Sequence, residues 1–248
     1  MDIARAAQLI SRASRLVVLT GAGVSKESGI PTFREAQEGL WAQYDAMAMA
    51  SEEGFRRNPR LVWEWYEYRF GMIKSVRPNP GHVAIAQLES LIHKVTVVTQ
   101  NIDGLHRHAG STSVLELHGS IQRYKCLSGR HTGFSLDDIV EQAEKPPRCP
   151  KCGDLMRPDV VWFGEYLHAD VMRKAYDACQ RCDAMLVVGT SGVVQPAASL
   201  PYVAARTGAV VVDVNPEHDE ISEMADVFLQ GKGGAVLPEL LSAMQSER

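Results

Sequence analysis

The 248-residue chain is short of several features that would fix its class at once. Its longest apolar runs, such as LVVLTGAGV, fall well below the ~20 residues that cross a bilayer. No block of Lys or Arg stands out, and 26 Lys and Arg against 30 Asp and Glu leave a net charge of −4, so no nucleic-acid footprint is expected. Cysteine is scarce and odd in number, at five, which argues against a disulfide framework and for thiol or metal chemistry. There is no internal repeat and no low-complexity tract. The first residues, MDIARAAQLISRASR, hold no continuous apolar stretch and no cleavage-like site, so no signal peptide is expected. Their Ile3, Ala6, Ala7, Ile10 and Ala13 fall instead on one helical face. The expected setting is cytoplasmic, with neither membrane nor nucleic acid as partner.

What is present is an ordinary globular composition, 45% apolar and 23% charged, in a chain long enough to bury a substantial core. Four runs read as buried parallel strands: RLVVLTG (15–21), KVTVVTQN (94–101), DAMLVVGTS (183–191) and GAVVVDVNP (208–216). ADVFLQG (225–231) is a weaker fifth. Each is short and β-branched and stops at Gly, Asn, Thr or Ser. Helical patterns between them, such as GHVAIAQLESLIHK, predict a doubly wound, Rossmann-like α/β sheet. Two gaps, of roughly 70 and 80 residues, are too long for simple crossovers. They read as insertions forming a smaller lobe, helical over 35–80 and cysteine-bearing over 119–165. The expected large domain is then 1–34, 81–118 and 166–248.

The strand ends carry the candidate chemistry. The first runs into GAGVSKESGIPTFR (21–34), where Gly21 and Gly23 permit a tight turn and close approach of a pyrophosphate, with a helix N-terminus to supply amide donors. The acid that a dehydrogenase places on a second strand is missing, which counts against hydride transfer. The second strand ends in TQNIDGLH (99–106), whose Gln100, Asn101 and Asp103 suit either a ligand or a capped turn. LELHGS (115–120) offers His118, a candidate general base or a structural histidine. GTS (189–191) and DVNPE (213–217) place hydroxyls and Asn215 where a phosphate or ribose could be held, or where a loop simply starts.

GAGVSKESGIPTFR, TQNIDGLH, LELHGS, CPKCG (149–153), VVWFGE (160–165), VVGTS (187–191) and DVNPE occur in this order in the sirtuins, and the chain resembles that family over about residues 10–240. The resemblance implies an NAD-dependent protein-lysine deacylase acting on acyl-lysine proteins or peptides, expected as a monomer. It implies NAD contacts from Gly21, Ala22, Gly23, Phe33, Arg34 and Trp41. It also implies a nicotinamide pocket of Gln100, Asn101, Ile102 and Asp103, and ribose, phosphate and adenine contacts from Gly189, Thr190, Ser191, Asn215, Pro216, Glu217 and Ala235. The peptide would lie extended between 160–165, with Val161, Phe163, Gly164 and Glu165, and 192–196, with Val193. NAD would be a reactant: the acyl oxygen attacks the ribose C1′, and His118 takes a proton from a ribose hydroxyl. The products implied are free lysine, nicotinamide and O-acyl-ADP-ribose. A protein that is mainly a lysine deacetylase, an NAD(P) oxidoreductase and a non-catalytic ADP-ribose or acyl-lysine binding module are the competing readings.

Two places are distinctive. LVWEWYEYRF (61–70) sets Arg69 among five aromatic residues, three positions after Tyr66. By base rate Arg69 stacks on an aromatic face. One sirtuin class, however, carries Tyr-x-x-Arg facing the acyl end of the substrate, with a small residue matched here by Ala46. An Arg and a Tyr hydroxyl can bind a carboxylate, so removal of succinyl or malonyl groups is expected, with weaker deacetylation. The family's two Cys pairs are incomplete: Cys149 and Cys152 form one, but Cys126 is followed by Gly129 where a second thiol would stand. Three thiolates with His131 or water could hold zinc, or the lobe folds without metal. Cys179 and Cys182 read as buried structural thiols.

Overall fold

The structure, a computed structural model, describes residues 2–31, 45–139 and 144–246. Phe33, Arg34 and Trp41 lie outside the described residues, and Ala46 is described by its backbone alone. Helix α1 (Asp2–Ser11) leads into β1 (Arg15–Thr20) and a short α2 (Ala22–Lys26). Then come α3 (Ala46–Met49), α4 (Glu52–Arg57), α5 (Pro59–Ser75) and α6 (Pro80–Gln87). The middle of the chain forms β2 (Lys94–Thr99), α7 (Leu105–His108), β3 (Val114–Glu116), β4 (Gly119–Cys126) and β5 (Met156–Val160). It ends with α8 (Ala169–Arg181), β6 (Ala184–Val188), α9 (Leu200–Arg206), β7 (Val210–Asn215), α10 (Glu220–Met224), β8 (Val227–Gln230) and α11 (Gly233–Ser246).

The main sheet has the order β3-β2-β1-β6-β7-β8 and every pairing is parallel. The chain works outward from β1 to one edge, then resumes beside β1 at β6. That reversal opens a crevice at the carboxyl ends of β1 and β6, where such sheets bind ligands. Both faces are covered, which is why the strands read as continuous apolar runs. Val18, Val97, Leu186 and Val212 pack towards Ile10 of α1, Ile85 of α6 and Leu237 of α11. Val17, Leu19, Met185 and Val211 pack towards Ala175 and Cys179 of α8 and Ala204 of α9. The expected Rossmann-like sheet is present, with all five predicted strands and a sixth, β3, at one edge.

The second sheet is the antiparallel pair β4–β5, with an irregularity between Ser120 and Tyr124. Helix α5 joins it to the helical insertion. Asn58 caps α5 by accepting from the Leu61 amide at 3.1 Å, and Pro59 stands in its first turn, where no amide donor is needed. The aromatic residues then divide between two cores. Trp65 and Tyr66 pack in a cluster with Phe55, Ile121 and Trp162, whereas Trp63 packs with Tyr124, Phe134 and Met156 beside the cysteines. No described helix is long and apolar enough to cross a membrane.

Candidate active site

The ends of β1, β2, β6 and β7 are tied together at the crevice. The Gly21 amide donates to Val188 O at 3.1 Å, Gly23 N to Gly189 O at 2.9 Å, and Gly189 N to Val214 O at 3.0 Å. A Cβ on Gly21 would stand 2.8 Å from Gly189 O, and one on Gly23 2.7 Å from the same atom. Gly189 itself has φ +58°, and a Cβ there would meet Val24 N at 2.5 Å. The bare faces of Gly21 and Gly23, and their amides, meet the end of β6. Helix α2 spans only five residues, so it also offers far less of a dipole than expected.

The side chains after β2 form a polar floor. Asn101 Nδ2 donates to Gly21 O and to Ser25 Oγ, both at 3.0 Å, and Ser25 Oγ–H donates to Asp103 Oδ2 at 2.8 Å. Asp103 also accepts from the Leu105 amide at 2.8 Å, yet burial raises its pKa above the usual carboxylate value. Gln100 Nε2 reaches Thr190 Oγ1 at 2.9 Å, and Asn215 Nδ2 donates to Thr190 O at 3.0 Å and Asp219 Oδ2 at 2.9 Å. Asn101, Ser25 and Asp103 thus form one set of bonds and Gln100, Thr190, Asn215 and Asp219 a second, with Ile102 half-buried beside them. Ser191, Pro216, Glu217 and Ala235 stand exposed at the rim.

Sequence reasoning missed what lies beneath this floor. His106 Nε2 is 2.9 Å from Thr20 Oγ1, which donates to Thr99 Oγ1 at 2.8 Å, and Thr99 Oγ1 accepts from the Asn101 amide at 3.1 Å. His82 faces Ser25 Oγ at 3.4 Å and the His106 ring at 4.9 Å between centroids. Burial pushes His82 down to about 4 and His106 to about 3, so both are neutral. Ser25 was in view within GAGVSKESG, but a serine beside a turn reads as a cap.

His118 follows β3 at the mouth of the crevice. Its Nδ1 lies 2.8 Å from the Gln100 carbonyl oxygen, which can only accept. Nδ1 therefore carries the hydrogen, and Nε2 keeps its lone pair. Burial lowers the His118 pKa, partly offset by that hydrogen bond. The His118 carbonyl accepts from Val161 N at 2.9 Å, and Phe163 N donates to Ala50 O at 2.9 Å. These two bonds run the segment 160–165 from the histidine to the helical insertion. Phe163 and Val193 remain about half exposed, at 47% and 50%, and Gly164 is exposed with φ +86°. Glu165 differs from its neighbours: its carboxylate is bonded to Arg157 and accepts from Trp162 N at 2.9 Å.

Tyr66 and Trp162 are buried together, and Trp162 Nε1 donates to the Tyr66 hydroxyl at 2.9 Å. Burial raises the Tyr66 pKa to about 12, so the phenol stays neutral. Arg69, half-buried, lies over Trp65 at 4.9 Å from the ring centroid, the aromatic stacking that base rates favour. Its pKa is lowered, chiefly by burial. Beside it a small cavity is lined by Ile30, Pro31, Trp65, Tyr68, Met72 and Ile73.

The cysteines assemble as a four-cornered cluster. Donor atoms of Cys126, His131, Cys149 and Cys152 all lie within 4.8 Å of one another. His131 Nδ1 is 3.9 Å from Cys126 Sγ and 3.7 Å from Cys149 Sγ. His131 stands at the corner that Gly129 cannot supply. Cys179 and Cys182 are elsewhere, buried, with Cys182 Sγ–H donating to Cys179 O at 3.2 Å; burial pushes the thiols up to about 12 and about 11.

A parallel sheet with a polar floor at its switch point and a single-tautomer histidine at the mouth defines a nucleotide-type site with a proton acceptor. The sequence profile of the Sir2 family matches residues 21–196. The chain is 48% identical over 245 residues to the NAD-dependent protein deacylase of Thermococcus kodakarensis, covering 96% of this chain and 94% of that protein. It is 50% identical over 239 residues to NAD-dependent protein deacylase 1 of Pseudomonas aeruginosa, covering 94% and 96%. The fold is similar to a Sir2 homologue in complex with NAD (TM-score 0.89, 42% identity, 98% of this chain and 94% of that one). It is also similar to Sir2Af2 bound to a myristoylated histone peptide (TM-score 0.79, 39% identity, 100% and 99%). The chain belongs to the Sir2 family, the sirtuins.

Proposed function

We propose that this protein is an NAD-dependent protein-lysine deacylase that removes succinyl and malonyl groups and, more weakly, acetyl groups. The observation that carries the enzymatic reading is the His118–Gln100 hydrogen bond, which leaves Nε2 as a proton acceptor at the crevice mouth. NAD, when bound, supplies the electrophilic ribose carbon and the hydroxyl that receives the acyl group. The polar floor of Gln100, Asn101 and Asp103 holds the nicotinamide end. Gly189, Thr190, Ser191 and Asn215 hold phosphate and ribose, and Pro216, Glu217 and Ala235 border the adenosine. Gly21, Ala22 and Gly23 shape the wall. Phe33, Arg34 and Trp41 complete the cofactor loop in this reading, outside the described residues. His118 accepts the proton from the ribose hydroxyl. The related proteins named NAD-dependent protein deacylases, at about half identity over nearly the whole chain, support the same chemistry.

The substrate strand lies between 160–165 and 192–196, flanked by Val161, Phe163, Gly164 and Val193. Glu165 acts there through Arg157. The described histone-peptide complex of Sir2Af2 supports an acylated peptide as partner. The lobe made of 35–80 and 119–165 covers the large domain made of 1–34, 81–118 and 166–248. Its cysteine cluster suits zinc, since three thiolates and one imidazole are a common structural donor set. We take the protein to act as a monomer in the cytoplasm.

For the acyl preference, Tyr66 supplies a neutral donor and Arg69 a cation on the same helix face, and Ala46 is the small residue that the family resemblance matches to this pocket. Charge-assisted hydrogen bonds contribute about 1.5–3 kcal/mol each, so a carboxylate-ended acyl group gains over acetyl. Arg69→Met should lower kcat/KM for a succinyl-lysine peptide by at least about tenfold and spare the acetyl-lysine form. Equal loss of both would make Arg69 a stacking residue for Trp65 and leave a deacetylase.

A further inference from the structure

We infer that Trp162 is a positioning residue for acyl-group selection, setting the Tyr66 hydroxyl as a donor to the acyl end. This rests on the acidic-acyl reading above and adds a residue to it. Trp162 is 2% exposed, and its indole N–H donates to Tyr66 Oη at 2.9 Å. A hydroxyl that accepts at one lone pair has its rotation restricted, and accepting strengthens it as a donor. Among the described residues no acceptor takes the Tyr66 hydrogen, so that hydrogen is the one left for a ligand. Without the indole, the phenol oxygen would lose its fixed partner and the hydroxyl would turn freely.

Trp162 is itself held rigidly. Its amide donates to Glu165 Oε2 at 2.9 Å, and Phe55 packs at 5.3 Å between ring centroids. The Arg157 guanidinium lies on the indole face, 3.1 Å from the ring centroid. Arg157 is 1% exposed and is bonded to both Glu165 oxygens and, at 2.7 Å, to Val160 O. A lone buried guanidinium would be costly, and this one has a carboxylate, a carbonyl and an aromatic face. So the segment that flanks the substrate strand, 160–165, also fixes the hydroxyl that meets the acyl end. Glu165–Arg157–Trp162–Tyr66 is one connected chain of contacts. It gives the Glu165 carboxylate a task through Arg157 and the Trp162 amide.

The test is steady-state kinetics at saturating NAD with one peptide in succinyl-lysine and acetyl-lysine forms. Trp162→Phe keeps most of the packing and removes the N–H. Substituting the benzothienyl analogue of tryptophan keeps the full shape and removes the same N–H, and it decides the matter if Trp162→Phe does not fold. The succinyl-to-acetyl ratio of kcat/KM should fall by about threefold to tenfold, through KM of the succinyl peptide. In a Tyr66→Phe background the same substitution should change the ratio no further. If Tyr66→Phe and Arg69→Met lower the ratio but loss of the indole N–H does not, Trp162 is only packing. An additive effect in the double variant likewise overturns its action through Tyr66. If none of the three positions moves the ratio, the acidic-acyl reading itself fails.

Discussion

The Nδ1 of His118 lies 2.8 Å from the carbonyl oxygen of Gln100, and this single contact fixes which ring nitrogen is the base. Because burial lowers the His118 pKa, the neutral form persists to more acidic pH than in an ordinary histidine. Activity should therefore rise with pH along a limb centred below about 6.5 and be flat through neutrality. A limb centred above about 7 would contradict the assignment. His118→Ala should cut turnover by about a hundredfold or more with the melting temperature nearly unchanged.

Gly23 and Gly189 pack backbone to backbone, and the missing Cβ of Gly23 would sit 2.7 Å from Gly189 O. Gly23→Ala should destabilise by about 1–3 kcal/mol, a fall of several degrees in melting temperature, and weaken NAD binding with it. Gly71, inside α5, has nothing within 4 Å of its absent Cβ. Gly71→Ala should instead stabilise by up to about 1 kcal/mol. Thermal melts and NAD titration of the two variants check both signs.

Asp213 is fully buried on β7, neither carboxylate oxygen has a partner among the described residues, and its pKa is raised to about 7 by burial and then by Asp219. The unfolded chain ionises near about 4. The stability that protonated Asp213 contributes is thus complete below about pH 4 and is lost as pH rises through about 7. Asp213→Asn should flatten that part of the stability–pH curve and raise stability above pH 7. Denaturant titrations at pH 5 and pH 8 measure it; an unchanged slope would refute the buried-acid account.

His131 completes the donor set that Cys126, Cys149 and Cys152 begin. Purified protein should hold about one zinc per chain. X-ray absorption should report three sulfur neighbours and one nitrogen. His131→Ala should weaken retention against a chelator, and chelation of the wild type should lower the melting temperature. No bound zinc in protein prepared without chelators would leave the cluster as packed thiols.

The strands were readable because both faces of a parallel sheet are buried, which leaves β-branched runs ending at polar turns. β3 was not, since three residues carry no period. The pair β4–β5 was hidden because GSIQRYKC mixes buried charge with apolar residues: Lys125 is buried against Asp159 at 3.2 Å. Gly21 and Gly23 read from the sequence as glycines that let a pyrophosphate approach. That Gly189 packs against them could not be read, because it comes from a distant part of the chain that no local pattern reveals. Ser25 escaped for the same reason, because its meaning comes from Asn101, Asp103 and His82. His131 remained one of several options because spacing counts thiols, whereas only the folded β4 end brings the imidazole to the vacant corner.

The most direct test is to incubate the protein with NAD and a succinyl-lysine peptide and weigh the products. The account predicts deacylated peptide, nicotinamide and O-succinyl-ADP-ribose in equal amounts, formed faster than the acetyl counterpart and not at all with His118→Ala. Intact NAD beside an intact succinylated peptide would contradict it.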